Sequence, residues 1–218
     1  MLTPRNGSDG ETIKLEPNSK PFLLKRLISD GFDTALVFML FIVLVNAILN
    51  LPLADAYHGH TDNANYVQES IVKAFGDDTE AINSALKNNA YYQNERFAAN
   101  LHSFLFKLLA GFIAETAVLL IVPLFSKKRQ TPGKMLTGVM PFCERKLSKA
   151  TRLSIFGRFL FIFFIDSAFL YSLTGIATFL LVPVLRLIEM LINKKNKTIC
   201  DFFSGVMIIE QLSYNGIN

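Results

Sequence analysis

The sequence predicts an all-α integral membrane protein of four transmembrane helices in two hairpins, with a helical extracytoplasmic insertion and a candidate internal repeat. Three observations predict it. The chain of 218 residues is 51% hydrophobic, with 20 Phe and no Trp, and its mean hydropathy is +0.34. That is too apolar for one soluble core and leaves no room for a large separate catalytic domain. The apolar residues gather in long runs, and the charge between those runs alternates in sign. Acids and bases nevertheless stand inside the runs, where an ionised side chain costs at least about 2.5–3.5 kcal/mol and so needs a partner, a wet cavity or an ion.

Residues 1–20 are polar and rich in Gly, Pro, Asn and Ser. They read as a disordered cytoplasmic tail with no hydrophobic stretch leading to a cleavage site, so the first span is its own insertion signal. That span covers 21–54, opened by Pro21 and closed near Leu51-Pro52. Its apolar stretch suffices to cross a bilayer core with tilt. The second span covers 104–126. The third apolar run, 156–193, is too long for one crossing and breaks near Thr174-Gly175, which predicts a tight hairpin of helices 3 and 4.

Between the first two spans, 55–103 holds seven acids (Asp55, Asp62, Glu69, Asp77, Asp78, Glu80, Glu95) against Lys73, Lys87 and Arg96. The basic segment 127–155 and its continuation carry Lys127, Lys128, Arg129, Lys134, Arg145, Lys146, Lys149, Arg152 and Arg158 against Glu144 alone, and Lys194, Lys195 and Lys197 open the tail 194–218. Basic flanks stay inside, so both termini and the central segment are expected in the cytoplasm, the acidic loop outside, and the crossings even in number. Helix-compatible spacing in the loop predicts helices over Tyr66–Phe75 and Thr79–Ala98, with Asp77, Asp78 or Thr79 as cap. Cys143 and Cys200 fall on the inside, where a structural disulfide is not expected.

KKRQTPGKMLTGVM, from Lys127, aligns without gaps to KKNKTICDFFSGVM, from Lys194. Phe32-Asp33-Thr34-Ala35 echoes Ile165-Asp166-Ser167-Ala168, each with an arginine, Arg26 or Arg158, about two turns upstream. In transporters, substrate sites often lie where such repeats meet.

Arg26, Asp30 and Asp33 are four and three residues apart and share a helix face. Two carboxylates near each other compete for one proton, and an arginine beside them lowers the pKa of the one it contacts. The set suits exchange of a proton for a small cation, and it equally suits a clasp between helices. Glu115 and Asp166 stand within the second and third spans with no obvious local partner, which makes them candidates for binding an ion or proton. Arg158 and Arg186 are candidates to tune them, and Glu189 is placed to pair with Arg186. His58, His60 and Asp62 in HGHTD lack the further ligands of a metal site and read as solvent-exposed loop residues. No Ser, Cys or His forms a nucleophile-and-base pattern, and TPGK lacks the glycine spacing of a phosphate loop. No enzyme, cofactor, metal or nucleic-acid partner is expected.

RLISDGFD, QTPGKMLTGV after the second span and KTICDFFSGVMII after the last resemble, in that order, the motifs of the RDD family of prokaryotic inner-membrane proteins. The resemblance runs from about Lys20 to Glu210. It implies that Arg26 and Asp33 are the family arginine and first-helix aspartate, Thr131, Gly133 and Lys134 its Thr-x-Gly-Lys element, and Asp201 its C-terminal aspartate. The His-Asp form of the last motif is Cys200-Asp201 here. The family implies an inner-membrane location and, for some members, sodium–proton exchange. The expectation is therefore cation- or proton-coupled exchange at Asp30, Asp33, Glu115 and Asp166, tuned by Arg26, in lipid and as a homo-oligomer. The alternative is a non-transporting scaffold or assembly partner, and an enzyme acting on lipid is more remote. Lys134 and Asp201, equivalent in the repeat, are expected to meet.

Overall fold

The computed structural model describes residues 20–143, 148–193 and 197–210. The predicted tail 1–19 and the end 211–218 lie outside the described residues. Helices dominate. Three helical stretches are long and apolar enough to cross a membrane: Phe22–Leu49, Ala90–Phe125 and Arg152–Ile192. The chain folds into two compact units, one from residues up to Leu40 and from Phe112 onward, the other from Phe41 to Gly111.

In the second unit, helix α1 (Lys20–Leu49) ends and a single tight turn, Pro52–Ala54, leads into α2 (Asp55–Phe75). Helix α2 thus starts eleven residues before the expected Tyr66 and takes in the HGHTD segment, which is helical and not a loop. His58 Nε2 lies 2.9 Å from the carbonyl of Leu49, and His60 Nδ1 lies 2.8 Å from Glu95 Oε2. Helix α3 (Thr79–Asn88) is capped by Asp78, whose carboxylate accepts from the Ala81 amide at 3.0 Å. The expected single helix from Thr79 is interrupted at Asn89. That side chain accepts from the Tyr92 amide at 2.9 Å and starts a new helix, α4 (Ala90–Glu115), which runs on into the second apolar stretch. An asparagine that can serve its neighbour's amide ends one helix and caps the next.

In the first unit, α4 passes into a π-helical segment, Thr116–Ile121, then α5 (Val122–Phe125). The third apolar stretch comprises α7 (Arg152–Phe161), a second π-helical segment (Ile162–Phe169), α8 (Leu170–Thr174), a tight turn at Gly175–Ala177 and α9 (Thr178–Ile192). Gly175 has φ +60° and ψ −136°, a region open only to glycine. A straight helix from Arg158 to Glu189 would separate them by about 46 Å, yet Arg158 Nε lies 2.9 Å from Asp201 Oδ1 and Glu189 Oε2 accepts from the amide of Ile199, two residues before Asp201, at 3.1 Å. The stretch therefore folds back on itself, as the Thr174-Gly175 break predicts.

The helical expectation holds for about 83% of the structure but not for all of it. The chain is not all helical, because β1 (Val139–Cys143), β2 (Ser148–Lys149) and β3 (Val206–Glu210) form a three-stranded antiparallel sheet in the order β2-β1-β3. Strand β1 follows α6 (Pro132–Thr137) and β3 follows α10 (Ile199–Ser204), each across a left-handed glycine, Gly138 or Gly205. The two repeat copies are therefore the same Thr-started helix, glycine and strand, and they pair with each other. Pro141 lies opposite Ile208, its repeat equivalent, while Val139 faces Glu210 and Cys143 faces Val206. That register places a local two-fold axis at the centre of the pair. Phe22, Val139, Ala150, Ile155, Val206 and Ile208 form one buried cluster, and Met140, Phe142, Met207 and Ile209 another.

Candidate functional site

Both short helices bring their first turns to the same length of α1. The N-terminus of α6 leaves backbone amides without helical partners, and Asp33 supplies the acceptor. Asp33 Oδ1 takes the Gly133 amide at 2.7 Å, and Oδ2 takes the Thr131 hydroxyl. Only glycine fits at 133. A Cβ there would fall on the Ser29 carbonyl, 2.9 Å from its carbon, and 3.0 Å from Asp33 Oδ1. Pro132 occupies the first helical position, where its missing N–H costs nothing.

Lys134, one turn into α6, is 3% exposed. Its Nζ lies 3.3 Å from Asp30 Oδ1, 3.5 Å from Asp33 Oδ2 and 3.3 Å from Thr131 Oγ1. Three oxygens on one side thus share one buried ammonium. Among the described residues, Asp30 Oδ2 and the neighbouring Ser29 Oγ are buried with no hydrogen-bond partner.

Asp201 occupies the equivalent place on α10 and is fully buried. It completes a capping box with Thr198, and it receives Arg26 at 2.6 Å and Arg158 Nε at 2.9 Å. Burial alone would raise its carboxyl, but Arg158 and Arg26 outweigh that and hold it far below the usual range. Burial and the adjacent Asp201 push the Cys200 thiol up, against the opposing pull of Arg158 and Arg186. Both Cys143 and Cys200 are free, buried thiols.

The expected meeting of Lys134 and Asp201 is therefore not made. Each forms its own ion pairs, Lys134 with the acids of α1 and Asp201 with Arg26 of α1 and Arg158 of α7. Equivalent positions of opposite charge cannot bind the same partners, so the repeat divides the charges of α1 between its copies. Arg26 reaches Asp201 and Lys134 takes Asp30 and Asp33, while Arg26 also acts electrostatically on Asp30.

Glu115 is 5% exposed at the junction of α4 and the first π-helical segment, and it accepts a hydrogen bond from Ser167 Oγ in the second. The Asp166 side chain lies outside the described residues. Wide helical turns of this kind occur mostly at functional sites, and nothing in the sequence pattern announced them. Among the described residues, no group of three His, Cys, Asp or Glu side chains is placed to hold a metal ion.

Comparison with protein-family models, with curated proteins and with solved structures gives no match.

Proposed function

We propose that the protein is an RDD-type membrane protein of four crossings that exchanges a monovalent cation for a proton at Asp30, Asp33 and Lys134. The observation that carries the proposal is the buried Lys134 ammonium held among Asp30, Asp33 and Thr131 oxygens. A compact cation in an oxygen cradle is what a desolvated sodium ion would replace. When the ion enters, Lys134 releases a proton and swings out, so one positive charge is exchanged for another and the buried charge stays constant. Asp30 Oδ2 and Ser29 Oγ supply the additional ligands a metal cation needs.

The RDD assignment is supported by the convergence of its motif residues. Arg26, Asp33, Thr131, Gly133, Lys134 and Asp201 come from three distant segments and enter two sets of buried polar contacts, both anchored on α1. Four crossings are supported by the fold-back at Gly175, and the charge asymmetry of the sequence then puts both termini in the cytoplasm and 55–103 outside. Four helices enclose little space for a path, so the exchanging form is a homo-oligomer. Glu115 and Asp166 are the onward carboxylates.

A second reading, a structural clasp in a non-transporting scaffold, is favoured by Asp201, whose oxygens are engaged by Arg26, Arg158 and Thr198. Vesicles containing purified protein and an internal pH dye separate the two. An imposed sodium gradient should move protons in the wild type and not in Lys134→Ala. Folded wild-type protein that moves neither ion establishes the scaffold.

A further inference from the structure

We propose that α6 and α10 are a two-fold-related pair of interfacial anchors that seat the sheet on the headgroup layer of an anionic leaflet. The inference stands on the membrane-spanning helices and the repeat, independently of ion exchange. In the repeat alignment Met135-Leu136 corresponds to Phe202-Phe203, and all four side chains point outward: they are 46%, 65%, 69% and 70% exposed. Two copies of one element, differing in almost every other residue, each present a pair of large apolar groups at the same two positions. Their opposite sides are spent on Lys134 and Asp201, so each short helix is polar inward and apolar outward.

The register of β1 and β3 supplies the geometry. Pro141 opposite Ile208 centres a local two-fold axis, and an axis between antiparallel strands runs normal to the sheet. It carries α6 onto α10 without changing the face, so both apolar pairs meet one plane at one depth. The adjoining chain names that plane. Phe125, six residues before Thr131 at the end of one spanning stretch, is exposed, and so is Leu153 at the start of another. In the sequence each copy opens with a lysine pair, Lys127-Lys128 or Lys194-Lys195. Basic residues close in sequence to an outward apolar pair match anionic lipid headgroups over acyl chains.

The chain has no tryptophan, so one introduced indole reports its surroundings without background. Leu136→Trp and Phe203→Trp, in the full chain in phosphatidylcholine–phosphatidylglycerol vesicles, should each be quenched by lipids brominated near the headgroup end of the acyl chain. The two should be quenched to a matching extent, at least twofold beyond any effect of aqueous acrylamide. Replacing Lys127 and Lys128 by Gln should reduce the quenching of Leu136→Trp as the anionic lipid is raised. Should one variant not fold, Met135→Trp or Phe202→Trp reports on the same helix. Quenching by acrylamide and not by bromolipid would place the helices in water, and protection from both would mean a protein partner such as a second copy; either result overturns the proposal.

Discussion

Substituting Gly133 by alanine tests the geometry on which the site depends. An added Cβ would sit 2.9 Å from the Ser29 carbonyl carbon and 3.0 Å from Asp33 Oδ1, closer than real contacts allow. Both neighbours are fixed, one being helix backbone and the other a carboxylate already engaged by Thr131 and Gly133. Helix α6 must then move away from α1. Overpacking of this kind costs about 1–3 kcal/mol, and loss of the charge-assisted bond from the Gly133 amide adds about 1.5–3 kcal/mol. A total near 4 kcal/mol corresponds to a fall in Tm of roughly 8–16 °C at about 2–4 °C per kcal/mol for a chain of this size. Cys143 and Cys200 are buried free thiols, so a thiol-reactive fluorophore reads the melt in detergent directly. Gly157→Ala is the control, because nothing lies within 4 Å of a Cβ there and it falls inside α7. Alanine at that position should raise stability by about 0.5–1 kcal/mol. A Gly133→Ala protein that melts with the wild type would refute the close approach of α6 to α1 and the cradle with it.

Asp201→Asn should cost about 3–5 kcal/mol at neutral pH by leaving Arg26 and Arg158 buried without their carboxylate, measured by the same thiol melt. Because the folded carboxyl titrates below its unfolded value of about 3.9, its stabilisation is complete above that pH and is lost as pH falls towards the folded value. The wild-type Tm should therefore owe no slope to Asp201 between pH 5 and pH 7, roughly, and the fall in acid should be shallower in Asp201→Asn. Gly175→Ala should lose about 1–3 kcal/mol through its forced backbone conformation, and unchanged stability would argue against the reversal there. Asp78→Ala should remove about 1 kcal/mol from the start of α3, seen as faster hydrogen exchange at the Ala81 amide with the remaining helices unaffected. Asp30→Asn should abolish sodium-driven proton movement in vesicles while leaving a folded protein, and retained exchange would remove Asp30 from the ion path.

The apolar stretches and the reversal at Thr174-Gly175 were legible because length and a helix-breaking glycine are local properties. The repeat was legible too, and its two copies do adopt one local structure. The strands were not, since VMPFC and VMIIE are five-residue apolar runs that periodicity cannot distinguish from pieces of a spanning helix. The charged residues of the site were identified singly, and their long-range partners were not. Spacing within α1 placed Arg26 beside Asp30, on which it does act electrostatically, but gave no sign of its salt bridge to Asp201, 175 residues away. Spacing along one helix carries no information about contacts of that range. Asn89 was missed for a related reason: its side chain could continue a helix or end one, and the Tyr92 amide decides between them.

The Arg26–Asp201 bond also dictates an order of assembly. Arg26 emerges among the earliest residues of the first span, and its carboxylate partner is translated only near the end of the chain. Until Asp201 is made, the buried contact that Arg26 forms between α1 and α10 cannot close. A nascent chain halted before Thr198 would hold Arg26 and Arg158 without the carboxylate that bridges them in the folded protein. Asp201 thus closes a clasp between segments made long before it.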